Sequence, residues 1–277
     1  MNQAPTVPVA AHTLDVPGAR LHYEVRGAGP LVMAVGSPMD ASRFAPLSDL
    51  LAADYTVVTA DPRGAHRSRL DDLDQESTPE VRADDLARII ADVDAGPAMV
   101  FGSSGGAVNA LALLQAHPAL VTTVVAHEPP LDELLENRAE MHEETERIVA
   151  TYLAGDHTGA WRKFLAKANI VLPDEVFEQI FGGERGPDEH YWFAHELRHT
   201  THWRPDLDLL RTVRDRIVVA IGDESAGQEC DHTSRALSAE LGVDPVIFPG
   251  DHTGFMDHPE LFAARLREVL RSADRTG

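Results

Sequence analysis

Short apolar runs alternate with stretches of helical spacing over residues 30–127. The apolar runs are Pro30–Val35, Tyr55–Ala60, Ala98–Phe101 and Val121–Ala126, and the helical stretches are Arg43–Ala53, Pro79–Asp94 and Gly106–His117. Strands that are apolar at nearly every position are typical of parallel sheets with both faces covered by helices. The alternation therefore predicts an α/β fold with a mostly parallel, doubly wound sheet.

An antiparallel hairpin is predicted upstream of this region, at the edge of the sheet. Its strands would be His12–Val16 and Ala19–Val25, and the Pro17-Gly18 pair between them is a turn signal. Downstream, strands are predicted at Arg216–Gly222 and Pro245–Phe248. Two further helices are predicted, and they cover Thr233–Leu241 and Pro259–Ser272.

The strand–helix alternation stops at Pro129-Pro130 and resumes near Arg216. The stretch between them is helical in composition, with predicted breaks at Gly155, Pro173 and Gly182–Pro187. The sequence therefore predicts a core formed by residues 1–130 and 207–277 and a helical insertion at residues 131–206.

Composition narrows the class of protein. Of the 277 residues, 43% are apolar and 25% are charged, as in globular proteins. The formal charge of −21 repels nucleic acids and anionic membranes. No apolar run reaches the roughly 18 residues of a membrane span, and Met1–Ala11 does not resemble a secretory signal. A single cysteine, Cys230, excludes an internal disulfide. We expect a cytoplasmic protein, and the scarcity of lysine favours a bacterial source.

The segment Gly102-Ser103-Ser104-Gly105-Gly106 lies between a predicted strand and a predicted helix. It fits the G-x-S-x-G nucleophile elbow in the context that this motif requires. The glycines that flank the motif centre it on Ser104, so Ser103 is the weaker candidate for the nucleophile. The helix that follows directs its first N–H groups at the reaction centre.

A serine nucleophile needs a general base, and a histidine normally supplies it. His252 is our candidate, because it lies in the loop after the last predicted strand, between Gly250 and Gly254. The terminal helix follows directly.

Together these segments resemble the α/β-hydrolase superfamily over essentially the whole chain. Val35-Gly36-Ser37-Pro38 is similar to the family's His-Gly-x-Pro loop, with Val35 in place of histidine. The resemblance implies that the backbone N–H groups of Ser37 and Gly105 form an oxyanion hole. Asp61–Ser68 resembles a segment that is structural in the family, and residues 131–206 correspond to its cap.

The acid of the triad has two candidate origins. In the family it usually follows the seventh strand, where this chain has Ser225, with Asp223 and Glu224 beside it. Some members instead carry the acid at the end of the sixth strand, 24 residues after the nucleophile, which corresponds to Glu128. We favour Glu128 and keep Asp223 and Glu224 as alternatives.

His195-Glu196-Leu197-Arg198-His199 matches the zinc motif H-E-x-x-H, and His190 and His202 lie near it. The motif is short and falls in the expected cap, so we interpret it as a cap helix. In this interpretation Tyr191, Trp192 and Phe193 pack inward or line the pocket. We therefore expect neither a metal nor another cofactor.

The sequence thus predicts a serine hydrolase that acts on an ester, lactone or related carbonyl compound. Ser104 would be the nucleophile, His252 the base and Glu128 the acid. The alternatives are a ligand-binding homologue without catalysis, and a hydrolase of carbon–carbon bonds or natural products. The expected partner is a small-molecule substrate, with no nucleic acid and no membrane, and the expected state is a monomer or homodimer.

Overall fold

A nine-stranded sheet forms the centre of the computed structural model, which describes residues 7–183 and 186–274. The strands are β1 (Val9–Val16), β2 (Ala19–Arg26), β3 (Leu31–Val35), β4 (Thr56–Ala60), β5 (Arg69–Leu70), β6 (Ala98–Ser103), β7 (Val121–His127), β8 (Ile217–Gly222) and β9 (Val246–Phe248). Their order is β1-β2-β4-β3-β6-β7-β8-β9, and the short β5 pairs with β2. All pairs from β4 to β9 are parallel, and the pairs of β2 are antiparallel. The predicted α/β fold is confirmed.

The helices follow the strands in alternation, as predicted. They are α1 (Ala45–Leu51), α2 (Pro79–Val93), α3 (Gly105–Ala116), α4 (Arg138–Leu153), α5 (His157–Lys167), α6 (Asp174–Phe181), α7 (Pro187–Tyr191), α8 (Leu197–Thr201), α9 (Leu207–Thr212), α10 (Glu229–Leu241), α11 (Gly254–Asp257) and α12 (Pro259–Asp274). A π-helical turn, Trp192–Glu196, joins α7 to α8.

Helices cover both faces of the sheet because alternate strand residues point to opposite sides. In β3, Met33 packs with α2, α3 and α10 in one core, whereas Val32 packs with α1 and α12 in the other. Both side chains are fully buried. This explains why the strands read as continuous apolar runs.

In the described part of residues 131–206, between β7 and β8, lie five helices, α4 to α8, and this stretch has a small core of its own. Tyr152, Trp192 and Phe193 are buried there with aliphatic side chains. Two of the predicted helix breaks are present, at Gly155 after α4 and at Pro173 before α6. The third predicted break lies between Phe181 and Pro187 and includes residues 184–185, which lie outside the described residues.

Some element boundaries differ from the predictions. The helix predicted at Arg43–Ala53 begins as a 3₁₀ turn, Ala41–Phe44, and becomes α-helical only at Ala45. The carboxylate of Asp40 accepts a hydrogen bond from the Ser42 N–H at 2.7 Å and starts this turn. Pro46 stands in the first turn of α1, where its missing N–H costs no intrahelical bond. Neither β5 nor α9 was predicted.

Among the described residues, no helix is both long and apolar enough to cross a lipid bilayer. Residues 1–6, within the segment where we expect no secretory signal, lie outside the described part of the chain. The cytoplasmic location and the monomeric or homodimeric state stay predictions.

Candidate active site

Ser104 lies on a sharp turn between β6 and α3. Its φ of 58° and ψ of −126° are a strained combination for a residue with a side chain. The Ser104 N–H donates to the carbonyl oxygen of His127 at 2.9 Å, which holds the turn against β7. The backbone therefore has the geometry of a nucleophile elbow.

Close backbone packing requires the glycines of the elbow. A Cβ on Gly102 would lie 2.4 Å from the carbonyl oxygen of Gly106. A Cβ on Gly106 would lie 2.3 Å from the carbonyl oxygen of Val35. Any larger residue at either position would push α3 away from the sheet.

The neighbouring Ser103 points into the core and away from the pocket. It is fully buried, and its hydroxyl lies 3.0 Å from Nδ1 of His127. Burial lowers the pKa of His127 to about 4, so this imidazole is neutral at neutral pH. Ser103 and His127 therefore form a structural pair beneath the elbow.

His252 and Glu128 are in direct contact. Nδ1 of His252 lies 2.6 Å from Oε2 of Glu128, and Oε1 of Glu128 accepts a hydrogen bond from the Gly222 N–H at 2.8 Å. Glu128 is fully buried at the end of β7, with a φ of 52°. The two hydrogen bonds fix the orientation of its carboxylate.

This contact shifts both pKa values in directions that favour an ion pair. Burial by itself would raise the pKa of Glu128, but the hydrogen bond and charge of His252 hold it at about 2. Burial likewise opposes protonation of His252, yet the hydrogen bond and charge of Glu128 raise its pKa above the ordinary value. Glu128 can therefore stabilise a protonated His252.

The other acidic candidates are placed elsewhere. Asp223 is exposed and accepts a hydrogen bond from the Gly250 N–H at 2.8 Å, which ties together two loops. Glu224 is exposed, and Ser225 is buried beside Gly222. Among the acidic side chains of the described residues, Glu128 is the one that hydrogen-bonds His252.

Ser37 and Gly105, the two residues with candidate oxyanion-hole N–H groups, lie next to each other. A Cβ on Gly105 would lie 2.9 Å from Cβ of Ser37. Gly105 is the first residue of α3, where an N–H has no intrahelical acceptor. Val35, which replaces the histidine of the family loop, packs in the core.

One pocket brings together four of the candidate residues, while Glu128 lies outside its lining. Fifteen of the described residues line it, and they are Ser37, Ser104, Gly105, Pro130, Phe164, Ala168, Ile170, Trp192, Leu197, Thr200, Thr201, Gln228, Glu229, Cys230 and His252. Within the described residues no direct hydrogen bond joins Ser104 to His252. Such bonds are often loose in substrate-free enzymes and tighten in the complex. The wall is largely apolar and its acidic side chain is Glu229.

A buried ionic cluster that was not predicted from the sequence lies at the Glu229 side of the pocket. Nζ of Lys167 lies 2.9 Å from Oδ2 of Asp132 and 2.5 Å from Oε1 of Glu229. Burial raises the pKa of Glu229, and the charge of Lys167 opposes this shift. One ammonium is thus shared by two carboxyl groups. The sequence held one signal for this cluster, because Lys167 is one of only two lysines in the chain.

The H-E-x-x-H motif is divided between two environments. Nδ1 of His195 and Nε2 of His199 lie 3.3 and 2.7 Å from the two carboxylate oxygens of Glu76. Glu196, in contrast, is buried and pairs with Arg82. No group of three or more His, Cys, Asp or Glu side chains in the described chain has a geometry that could hold a metal ion.

The other residues near the motif also have partners elsewhere. The ring of His202 lies against that of His142, with 3.9 Å between the ring centroids, and His190 lies beside Tyr152. Trp192 lines the pocket, as expected, and Phe193 is fully buried. Asp61, in the segment expected to be structural, accepts hydrogen bonds from the Ala41 and Arg67 N–H groups.

Comparison with known proteins identifies the family. The sequence model of the alpha/beta hydrolase family matches residues 31–265, so the chain belongs to this family. The uncharacterized hydrolase YraK of Bacillus subtilis (strain 168) is 34% identical over 263 residues, which are 93% of this chain and 95% of YraK.

Two further proteins are similar over most of their length. Zearalenone hydrolase of Bionectria ochroleuca is 26% identical over 269 residues, 94% of this chain and 97% of that one. A solved structure of an alpha/beta hydrolase from Sphaerobacter thermophilus DSM 20745 matches with a TM-score of 0.70 at 23% identity. The match covers 93% of this chain and 99% of that chain, and it supports the fold.

Proposed function

We propose that this alpha/beta hydrolase is a serine hydrolase that cleaves an ester, a lactone or a related carbonyl compound through an acyl-enzyme. The observation that carries the proposal is the 2.6 Å contact between Glu128 and Nδ1 of His252. It leaves Nε2 of His252 as the proton acceptor in a pocket that Ser104 also lines. A histidine oriented by a buried carboxylate is the base that a serine nucleophile needs.

In the proposed reaction, Oγ of Ser104 attacks the substrate carbonyl carbon and its proton passes to Nε2 of His252. Glu128 stabilises the imidazolium, and the N–H groups of Ser37 and Gly105 stabilise the oxyanion by about 3–4 kcal/mol per donor. The tetrahedral intermediate collapses, and His252 returns the proton to the leaving oxygen. Water, deprotonated by His252, then attacks the acyl carbon. The second tetrahedral intermediate collapses, His252 returns the proton to Oγ of Ser104, and the acid is released.

We propose that residues 131–206 act as the cap over this site. Phe164, Ile170, Trp192 and Leu197 come from this region and supply much of the apolar lining of the pocket. Their side chains surround the place where the body of a substrate would bind, so this region would determine the substrate specificity. The remainder, residues 1–130 and 207–277, would be the hydrolase core.

The lining favours an uncharged substrate. It contains neither lysine nor arginine among the described residues, and Lys167, behind Glu229, is already shared by two carboxyl groups. An anion in this pocket would lose its hydration without gaining a lysine or arginine as ionic partner. Zearalenone is a candidate because a similar protein is a zearalenone hydrolase.

Hydrolysis of 4-nitrophenyl acetate by matched serine variants tests the proposal. Ser104→Ala should lower kcat by about 10⁶-fold, as loss of the nucleophile does in other serine hydrolases. Ser103→Ala is the control, and it should retain kcat because Ser103 faces His127 in the core. Full turnover by folded Ser104→Ala would refute the role of Ser104. Zearalenone and an anionic ester can be assayed with the same variants.

A further inference from the structure

The H-E-x-x-H segment brings the carboxylate of Glu196 into the interior next to the candidate oxyanion hole. The π-helical turn Trp192–Glu196 ends at Glu196, which has a φ of −125° rather than a helical value. Turns of this kind occur frequently at functional sites. Whereas His195 and His199 reach outward to Glu76, the side chain of Glu196 is only 3% exposed.

Two partners hold the Glu196 carboxylate in place. The Ser37 hydroxyl donates a hydrogen bond to its Oε1, and the Arg82 guanidinium forms an ion pair with the same oxygen. Nη2 of Arg82 also donates to the Thr200 hydroxyl at 2.8 Å, which fixes the guanidinium against α8. Elements far apart in sequence thus meet at Ser37.

The charges of this group must balance because they lie beside the place where an oxyanion would form. An unpaired carboxylate there would oppose the developing negative charge. Arg82 supplies the opposite charge, and its side chain is also only 3% exposed. Burial raises the pKa of Glu196, and Arg82 opposes that shift. The pair therefore adds no net charge to the oxyanion hole.

We propose that Glu196 is a positioning residue for the oxyanion hole, acting through the hydroxyl of Ser37. This inference rests on the proposed function. Glu196 does not touch the substrate. By holding the Ser37 side chain, it fixes the loop so that the Ser37 N–H points to the same position as the Gly105 N–H. The region between β7 and β8 thereby shapes the catalytic centre as well as the pocket.

A double-mutant cycle on 4-nitrophenyl acetate hydrolysis tests this role. Ser37→Ala should lower kcat by about tenfold, less than the loss of a whole donor, which costs about 10²–10³. Arg82→Met/Glu196→Leu, which removes the acceptor of the Ser37 hydroxyl together with its counter-charge, should lower kcat by a similar factor. KM should stay within about twofold, since a positioning effect appears in the transition state. Ser37→Ala combined with Arg82→Met/Glu196→Leu should be no slower than Ser37→Ala alone, because both changes break the same link.

Glu76→Gln is the matched control, since Glu76 binds the histidines of the same motif on the outer face, and its kcat should be unchanged. Additive losses in the combined variant, or a changed KM with kcat intact, would overturn the proposal. If Arg82→Met/Glu196→Leu does not fold, Ser37→Ala alone still decides: it keeps the backbone N–H, so an unchanged kcat would refute positioning by the hydroxyl. Turnover by the wild type and its loss in Ser104→Ala test the proposed function separately.

Discussion

The carboxylate of Glu128 lies 2.6 Å from Nδ1 of His252, although 124 positions separate the two residues in the chain. Glu128 follows β7, and His252 follows β9 by a few residues. These two strands flank β8 in a parallel sheet, so their carboxyl ends lie on the same edge. The sheet therefore brings the two side chains together, beside the turn that carries Ser104.

Glu128→Gln should lower kcat by about 10⁴-fold, as the corresponding change from acid to amide does in a serine protease. The amide oxygen can still accept the hydrogen bond from the Gly222 N–H, which would leave the amide nitrogen facing Nδ1 of His252. Nδ1 would then have to accept a hydrogen bond, and the ring would take the wrong tautomer. Steady-state kinetics with 4-nitrophenyl acetate measures the effect. Asp223→Asn is the control and should change kcat little; the opposite ranking would contradict the assignment.

The pH profile of kcat/KM should report the raised pKa of His252. The base must be unprotonated, so activity should fall as the pH drops through the pKa of His252. Since Glu128 raises that pKa, the acidic limb should lie above the ordinary value of about 6.5. In Glu128→Gln the acidic limb of the residual kcat/KM should lie at lower pH than in the wild type. A limb that does not move between the two proteins would show that Glu128 does not act on the base.

Arg82→Met should destabilise the fold strongly because it leaves Glu196 buried without its ionic partner. Removal of one member of a buried pair typically costs about 3–5 kcal/mol in the free energy of unfolding. The double variant Arg82→Met/Glu196→Leu should lose less, since it leaves no unpaired charge. Urea denaturation followed by circular dichroism measures both values. Asp15→Asn, which breaks the exposed pair with Arg20, is the control and should leave the midpoint unchanged.

Dialysis against EDTA should leave the turnover of 4-nitrophenyl acetate unchanged. In a zinc hydrolase of the H-E-x-x-H type, the glutamate acts beside the metal that the two histidines bind. Here Glu196 is engaged by Arg82, and the histidines share Glu76. His199→Gln should likewise retain activity. A loss of turnover that added zinc restores would show that the motif is a metal site after all.

Much of the fold was predictable because strand and helix signals are local. Continuous apolar runs such as Leu31–Val35 mark buried parallel strands, Gly155 marks the end of α4, and Pro173 marks the start of α6. The start of α1 was misplaced because the capping carboxylate of Asp40 created a 3₁₀ turn that periodicity does not show. The two-residue β5 is too short to leave any pattern.

The site was predictable only where a motif fixes the spacing. The elbow locates Ser104, and the family resemblance, with an acid 24 residues after the nucleophile in some members, favours Glu128 over Asp223 and Glu224. The pairing of Glu196 with Arg82 joins residues more than a hundred positions apart, and no motif links them. The sharing of Lys167 by Asp132 and Glu229 is hidden for the same reason. Such contacts depend on how the helices between β7 and β8 pack on the core.

Direct trapping of the acyl-enzyme tests the central claim most sharply. Protein mixed with 4-nitrophenyl acetate is quenched in acid during turnover, digested and analysed by mass spectrometry, with Ser104→Ala and Ser103→Ala treated alongside. We predict one acetyl group on Ser104 in the wild type and in Ser103→Ala, at a level consistent with the rate of turnover. Ser104→Ala should carry no acetyl group at the neighbouring serine. Turnover by the wild type without acetylation of Ser104 would contradict the proposed mechanism.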